Sequence, residues 1–173
     1  GLASLELAAP FVDPRDGKTI VPVVNQNLTD GRAIGAEALI TYSPLESWRL
    51  TGSYSYLSLD LTTHGQDINR GRFNEGSTPR NQFGLRSAAD LAGFQFDAFI
   101  RYVGALHHDP VNVTGAGIPA YTELDLRVAR AWDRIDVALA GHNLLHDHHL
   151  EFGAPALRGE MERSVFLSVE WGY

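Results

Sequence analysis

The sequence predicts an all-β chain: an antiparallel transmembrane β-barrel segment of about seven to eight strands, with short periplasmic turns and long extracellular loops. Three observations predict it. Apolar and polar residues alternate with a period of two along most of the 173 residues. The alternating segments run about 10 to 13 residues, against roughly 5 to 6 for soluble strands and roughly 9 to 11 for a tilted membrane strand. The connections alternate between tight and long, a sorting that outer-membrane barrels show and soluble sandwiches have no reason to adopt.

Taken in order, Leu2 to Leu7 reads as the upper end of an ascending strand. Ala9 to Thr29 reads as an external loop with a short hairpin around Asp16-Gly17. From Ala33 to Tyr42, the residues Ile34, Ala36, Ala38, Ile40 and Tyr42 share one face, with Leu39 breaking the pattern. Trp48, Leu50, Gly52, Tyr54 and Tyr56 do the same between Trp48 and Ser58. From Asn81 to Leu91 the apolar set is Phe83, Leu85 and Ala89. From Phe94 to Leu106 it is Phe94, Phe96, Ala98, Ile100 and Tyr102, with Phe99 and Val103 out of phase. Ala120 to Trp132 and the stretch from Ile135 to His142 follow the same rule. The last segment carries Val165, Leu167, Val169, Trp171 and Tyr173 in phase. Tight connections fall at Ser43 to Ser47, Leu91-Ala92-Gly93 and Asp133-Arg134, and long ones at Thr62 to Arg80, His107 to Pro119 and Leu145 to Glu162.

Composition removes other classes. No apolar run approaches the roughly 18 residues of a membrane helix. The net charge of −7 argues against general nucleic-acid binding, and the absence of Cys excludes disulfide scaffolds, zinc fingers and thiol nucleophiles. The apolar fraction of 44% is too high for a disordered chain. The basic residues are thirteen Arg and one Lys, Lys18.

The face opposite the apolar one carries Glu37, Arg49, Arg86, Asp97, Arg101, Glu123, Asp125, Arg127, Asp136 and Glu170. In a membrane barrel the apolar face meets lipid and these charges line the interior. In a small soluble barrel the assignment reverses. Aromatics at the ends of the apolar stripes, Trp48, Tyr54, Tyr56, Phe94, Tyr102, Trp132, Trp171 and Tyr173, suit headgroup girdles and favour the membrane reading. Seven strands do not close an even-stranded barrel, so the chain either closes as a small eight-stranded barrel using Leu2 to Leu7, or forms part of a larger wall. The opening GLASLELAAP has no initiator Met, basic n-region or apolar signal core, and we read it as part of a longer chain.

Several segments then resemble one family. Gly141-His142-Asn143-Leu144-Leu145-His146-Asp147-His148-His149-Leu150-Glu151-Phe152-Gly153 resembles the G-x-N-L-L/F-D-x-x-Y/H-x-E-F-G segment of TonB-dependent outer-membrane receptors, with His146 where Asp is usual. Pro119 to Arg127 resembles that family's P-A-Y-x-x-L-D-L-R strand, and Glu162 to Tyr173 its closing strand. Gly31 to Tyr42 and Thr78 to Gln82 resemble two further strand signatures. The resemblance covers almost the whole chain. It implies a C-terminal piece of a roughly 22-stranded barrel whose N-terminal plug is absent, residues 1–173 being barrel alone. It also implies uptake of an extracellular metal chelate such as a ferric siderophore, TonB energisation through the missing plug, a Gram-negative outer-membrane location, a lipid-facing surface, a monomer, and no cofactor or catalytic residue.

Candidate ligand contacts are weak. His107, His108 and Asp109 in one predicted outer loop, and His146, Asp147, His148 and His149 in another, are competent metal ligands by chemistry, although solvated loop histidines are the commoner case. Arg70, Arg72 and Arg80 suit anionic ligand groups or lipopolysaccharide phosphates, whereas Arg49, Arg86, Arg101 and Arg127 suit pairing with carboxylates of the wall or plug. No nucleophile elbow, P-loop, HExxH or dinucleotide motif is present. His142, on the polar face, would support a barrel hydrolase only with a hydroxyl and an acidic partner beside it. The alternatives to a receptor segment are a stand-alone eight-stranded barrel for adhesion or structure, and a soluble ligand-binding β-barrel.

Overall fold

A computed structural model describes residues 2–64, 75–76, 78–106, 117–152 and 159–172. Twelve strands occur among them: β1 (Leu2–Leu7), β2 (Phe11–Val12), β3 (Thr19–Ile20), β4 (Val23–Leu45), β5 (Trp48–Thr63) and β6 (Asn81–Leu91), then β7 (Phe94–Val103), β8 (Tyr121–Trp132), β9 (Ile135–His142), β10 (His148–Phe152), β11 (Gly159–Glu162) and β12 (Ser164–Trp171). Eight form one sheet in the order β1-β4-β5-β6-β7-β8-β9-β12, antiparallel throughout. The pairs β2–β3 and β10–β11 are separate hairpins.

The sheet is open. β1 and β12 are its two edges and are not neighbours, so the eight strands do not close on themselves. The small closed barrel expected as an alternative is therefore not what these residues form; the sheet is a stretch of barrel wall.

Short and long connections segregate as expected. Glu46-Ser47, Ala92-Gly93 and Asp133-Arg134 make the tight turns at one end. Ala92 (φ 53°) and Gly93 (φ 79°) are both left-handed, the conformation whose twist matches a two-residue hairpin. Hairpin β2–β3 lies in the long connection between β1 and β4, with Gly17 at φ 71° in its turn, and hairpin β10–β11 in the one between β9 and β12.

Several boundaries differ from expectation. β4 begins at Val23, inside the stretch read as loop, because Val23 to Thr29 pair with β1. This stretch, Val-Val-Asn-Gln-Asn-Leu-Thr, shows no apolar alternation because it stands beyond the apolar band. β4 also runs through Leu45, with a register irregularity after Tyr42 that shortens the tight turn. β7 stops at Val103, although Leu106 and Ile118 still form an isolated bridge beyond it. Tyr173 lies outside the described residues.

Register decides which side chains share a face, because directly paired residues point the same way. One row runs Ile40–Gly52–Leu85–Ile100–Leu124, and another Ala89–Phe96–Val128–Leu139–Leu167. The aromatic row Tyr54–Phe83–Tyr102 lies on the same face, toward the long connections. The opposite face carries Arg49–Ala88–Asp97–Arg127, Arg86–Phe99–Asp125 and Arg101–Glu123. The apolar face is bare: Leu139 is 53% and Leu167 69% exposed. Glu123 on the charged face is 1% exposed. A soluble barrel would bury the first and wet the second, so the oily face is the outer one. Phe99, out of phase in the sequence, lies on the charged face beside Gly84, where an added Cβ would come within 3.2 Å of its ring.

Candidate functional site

The most enclosed polar chemistry gathers on the charged face, at the end with the long connections. The end of β7 supplies Arg101, the start of β8 supplies Tyr121, Glu123 and Asp125, and the β9–β10 connection with its hairpin supplies Asn143, His146, His149 and Glu151. Hairpin β10–β11 folds over this face, so that chain segments distant in sequence meet.

Glu123 and His149 are both buried. His146 Nδ1 stands 2.5 Å from Glu123 Oε1, and the Leu145 amide donates to the other carboxylate oxygen at 3.4 Å. His149 Nδ1 lies 3.1 Å from the same Oε1 but outside hydrogen-bond alignment, and neither it nor the buried Arg101 Nε has a hydrogen-bond partner among the described residues. A desolvated carboxylate is tolerated only when paired and hydrogen-bonded. Glu123 meets that condition through the His146 imidazole and the Leu145 amide, with the His149 ring beside it.

Glu151 is the second anchor. Its Oε1 accepts from Arg101 Nη2 at 2.8 Å and from the Tyr121 hydroxyl at 3.2 Å, with His149 Nε2 at 3.0 Å. Burial pushes the Glu151 carboxyl up, but the bonds from His149, Arg101 and Tyr121 outweigh it and hold its pKa below the usual value. The His149 ring lies on the Tyr121 ring at 4.5 Å between centroids, and the Arg101 guanidinium stands 5.8 Å from the Tyr121 ring centre. His149 thus stands between two carboxylates on a tyrosine face.

Asn143 ties β9 into the cluster. It is left-handed (φ 55°), a conformation Asn tolerates better than most residues. That turn aims its amide at Asp125 Oδ1, 2.9 Å away, while its side-chain oxygen accepts from Arg101 at 3.3 Å. Nearer the tight turns, Asp97 bridges Arg86 at 3.0 Å and Arg127 at 3.4 Å, three side chains from adjacent strands on one wall.

The sequence-derived candidates divide. His146 and His149 are brought together by Glu123, and His148 is exposed. No group of three or more His, Cys, Asp or Glu is arranged to hold a metal ion among the described residues. His107, His108, Asp109, Arg70 and Arg72 lie outside those residues. Arg80 is exposed. Arg86, Arg101 and Arg127 pair with carboxylates of the same chain, Asp97 and Glu151. His142 Nδ1 stands 3.6 Å from Asp125, and Ser164 is its partner in register, but no hydrogen bond joins Ser164 to that ring among the described residues. Sequence reasoning placed Glu123 and Glu151 on the right segments without pairing them with anything. The spacing of Asn143 and Glu151 in one motif was the available signal, and only register brings Arg101 to it.

This geometry, an outward oily face, an inward charged face and a motif-bearing loop tied to the wall, has counterparts among known proteins. The family model described as "TonB dependent receptor-like, beta-barrel" matches residues 7–144. The chain belongs to the TonB-dependent receptor β-barrel family. Members of this family are transporters of the Gram-negative outer membrane, not enzymes. The tight turns of this TonB-dependent receptor segment therefore face the periplasm and its long connections the cell exterior.

Comparison with curated protein sequences gives no significant match. Solved structures share the fold. The pyoverdine receptor FpvA from Pseudomonas aeruginosa PAO1, bound to pyoverdine, aligns with a TM-score of 0.65 at 13% identity, over 99% of this chain and 26% of its own. The ferric-catecholate import receptor Fiu from K12 E. coli aligns with 0.65 at 19% identity, over 94% and 23%. The copper transporter OprC aligns with 0.64 at 11% identity, over 99% and 27%. The chain thus spans about a quarter of the length of these receptors.

Proposed function

We propose that residues 1–173 are the C-terminal barrel wall of a receptor that takes up a scarce metal chelate, a ferric siderophore before free copper, with energy delivered through TonB. The observation that carries this reading is the family match over residues 7–144, on a sheet whose oily face is bare and whose charged face holds buried Glu123. An exposed sheet edge in lipid costs several kcal/mol for each unpaired backbone group. The edges at β1 and β12 therefore call for further strands of the same receptor, and the charged face for a plug and a passing ligand. FpvA and Fiu are described with pyoverdine and ferric catecholates and OprC with copper, which sets the two ligand classes worth testing.

The test is deletion of the complete receptor gene in its host, followed by growth and radiolabelled uptake on a panel of ferric chelates and, separately, on limiting copper. Loss of uptake of one ferric chelate, reproduced when TonB is deleted, is the expected result. Unchanged uptake of every chelate and of copper overturns the proposal.

A further inference from the structure

The lipid-facing side of the wall carries one feature that ligand uptake does not use. Arg130, in β8, belongs by register to the apolar face: it pairs directly with Phe94 on β7 and Val137 on β9. Its guanidinium carbon lies 4.6 Å from the centre of the Phe94 ring and 5.0 Å from that of Trp132. Trp132 is two residues nearer the periplasmic turn at Asp133-Arg134, so the charge leans toward that end instead of into the oil. Arg130 makes no ion pair among the described residues, and its neighbours along and across the face, Val128, Phe94, Phe96, Leu139, Val137 and Ile135, carry no negative charge.

The depth is fixed independently. All three tryptophans of the chain, Trp48, Trp132 and Trp171, lie on the outer face at or near the tight-turn end. Trp48 follows the β4–β5 turn, and Trp132 and Trp171 both pair with Ile135 beside the β8–β9 turn. An indole prefers the headgroup zone, so this cluster marks the periplasmic interface. A guanidinium there, close to two ring centres and short of a protein anion among the described residues, has its fork free for phosphate.

We propose that Arg130, with Phe94 and Trp132, forms a binding subsite for the headgroup phosphate of a phospholipid in the inner leaflet. The two rings hold the guanidinium flat and support the first carbons of the acyl chains, and the charge takes the phosphate oxygens. The inference goes beyond the uptake reading and depends only on the membrane orientation of the wall.

The test uses the complete receptor, purified in detergent and examined by native mass spectrometry with added phosphatidylglycerol, with diacylglycerol of the same chains, or with inorganic phosphate. The wild type should retain one phosphatidylglycerol more than Arg130→Gln, with apparent affinity about fivefold weaker in the variant. Arg130→Lys should fall between, keeping the charge and losing the fork. Diacylglycerol should not be retained, and inorganic phosphate should not displace the lipid. Chelate uptake by Arg130→Gln should equal that of wild type, which separates loss of the subsite from failure of the receptor to fold. Equal phosphatidylglycerol retention by wild type and Arg130→Gln, or equal retention of diacylglycerol, overturns the proposal.

Discussion

Arg101 and Glu123 face one another directly across β7 and β8, yet the Arg101 guanidinium donates to Glu151, 2.8 Å away in the outer hairpin. The arginine reaches past its cross-strand neighbour to hold a loop, and the buried glutamate is left to His146 and His149. The wall and hairpin β10–β11 are thereby locked by two carboxylates that share one imidazole.

Removing the Glu151 charge should release the hairpin before it harms the wall. Glu151→Gln weakens the bond from Arg101 and is expected to cost about 1–3 kcal/mol locally. Hydrogen exchange on the complete receptor should show faster exchange over residues 148–152 and 160–162, with β7 and β8 unchanged. Equal protection in the two proteins would mean that the hairpin is held by something else.

The same bond has a pH sign. The Glu151 pKa is lowered in the folded protein from its ordinary 4.5. Its contribution is therefore fully present above about that value and is lost as the pH falls through the lowered one. The chain has no cysteine, so Met161→Cys offers a unique spin-label site within this segment, on the partner strand of the hairpin. The label should stay immobile from pH 8 to about 5 and gain mobility only in more acidic solution. A transition centred near neutrality would show that the Glu151 carboxylate does not set the mobility of the hairpin.

Gly84 tests the packing of the lumenal face. A Cβ there would fall 2.7 Å from Ser53 Oγ and 3.2 Å from the Phe99 ring. Gly84→Ala should destabilise the receptor by about 1–3 kcal/mol, and adding Phe99→Ala should recover part of that loss. Denaturant unfolding of the single and double variants measures the coupling; strictly additive losses would show that the ring does not set the limit.

The outward face can be probed by depth. Leu139→Arg, in the apolar band, should cost about 2–4 kcal/mol, and Ile135→Arg, beside the periplasmic turn, about 0–1 kcal/mol. Unfolding of the complete receptor from lipid vesicles gives both numbers. Equal costs would contradict the assignment of the periplasmic interface to the Trp132 and Trp171 level.

What the sequence made legible follows from where water is absent. Within the spans the bilayer favours a period of two, broken only by single residues such as Leu39 and Phe99, so strands β5 to β9 and β12 and their turns can be read directly from alternation. Asp16-Gly17 likewise announced the β2–β3 turn through its backbone chemistry. Above the bilayer that constraint lapses. Asn25 and Gln26 pair in β4 with Leu5 and Ser4, and no apolar alternation marks that stretch in the sequence. The buried cluster was harder still. Arg101, Glu123 and Glu151 come from three segments, and only a register fixed to the single residue brings them into contact. Arg130 is not legible in the sequence either, because one cation in an apolar stripe carries no signal until register sets Phe94 and Trp132 beside it.

β4 has one further consequence. At roughly 3.3 Å per residue, its 23 residues trace a ribbon much taller than the oily belt it crosses, which needs only about 25 Å. The parapet stands clear of the cell surface, so Asn25 and Asp30 sit well above the level of the acyl tails.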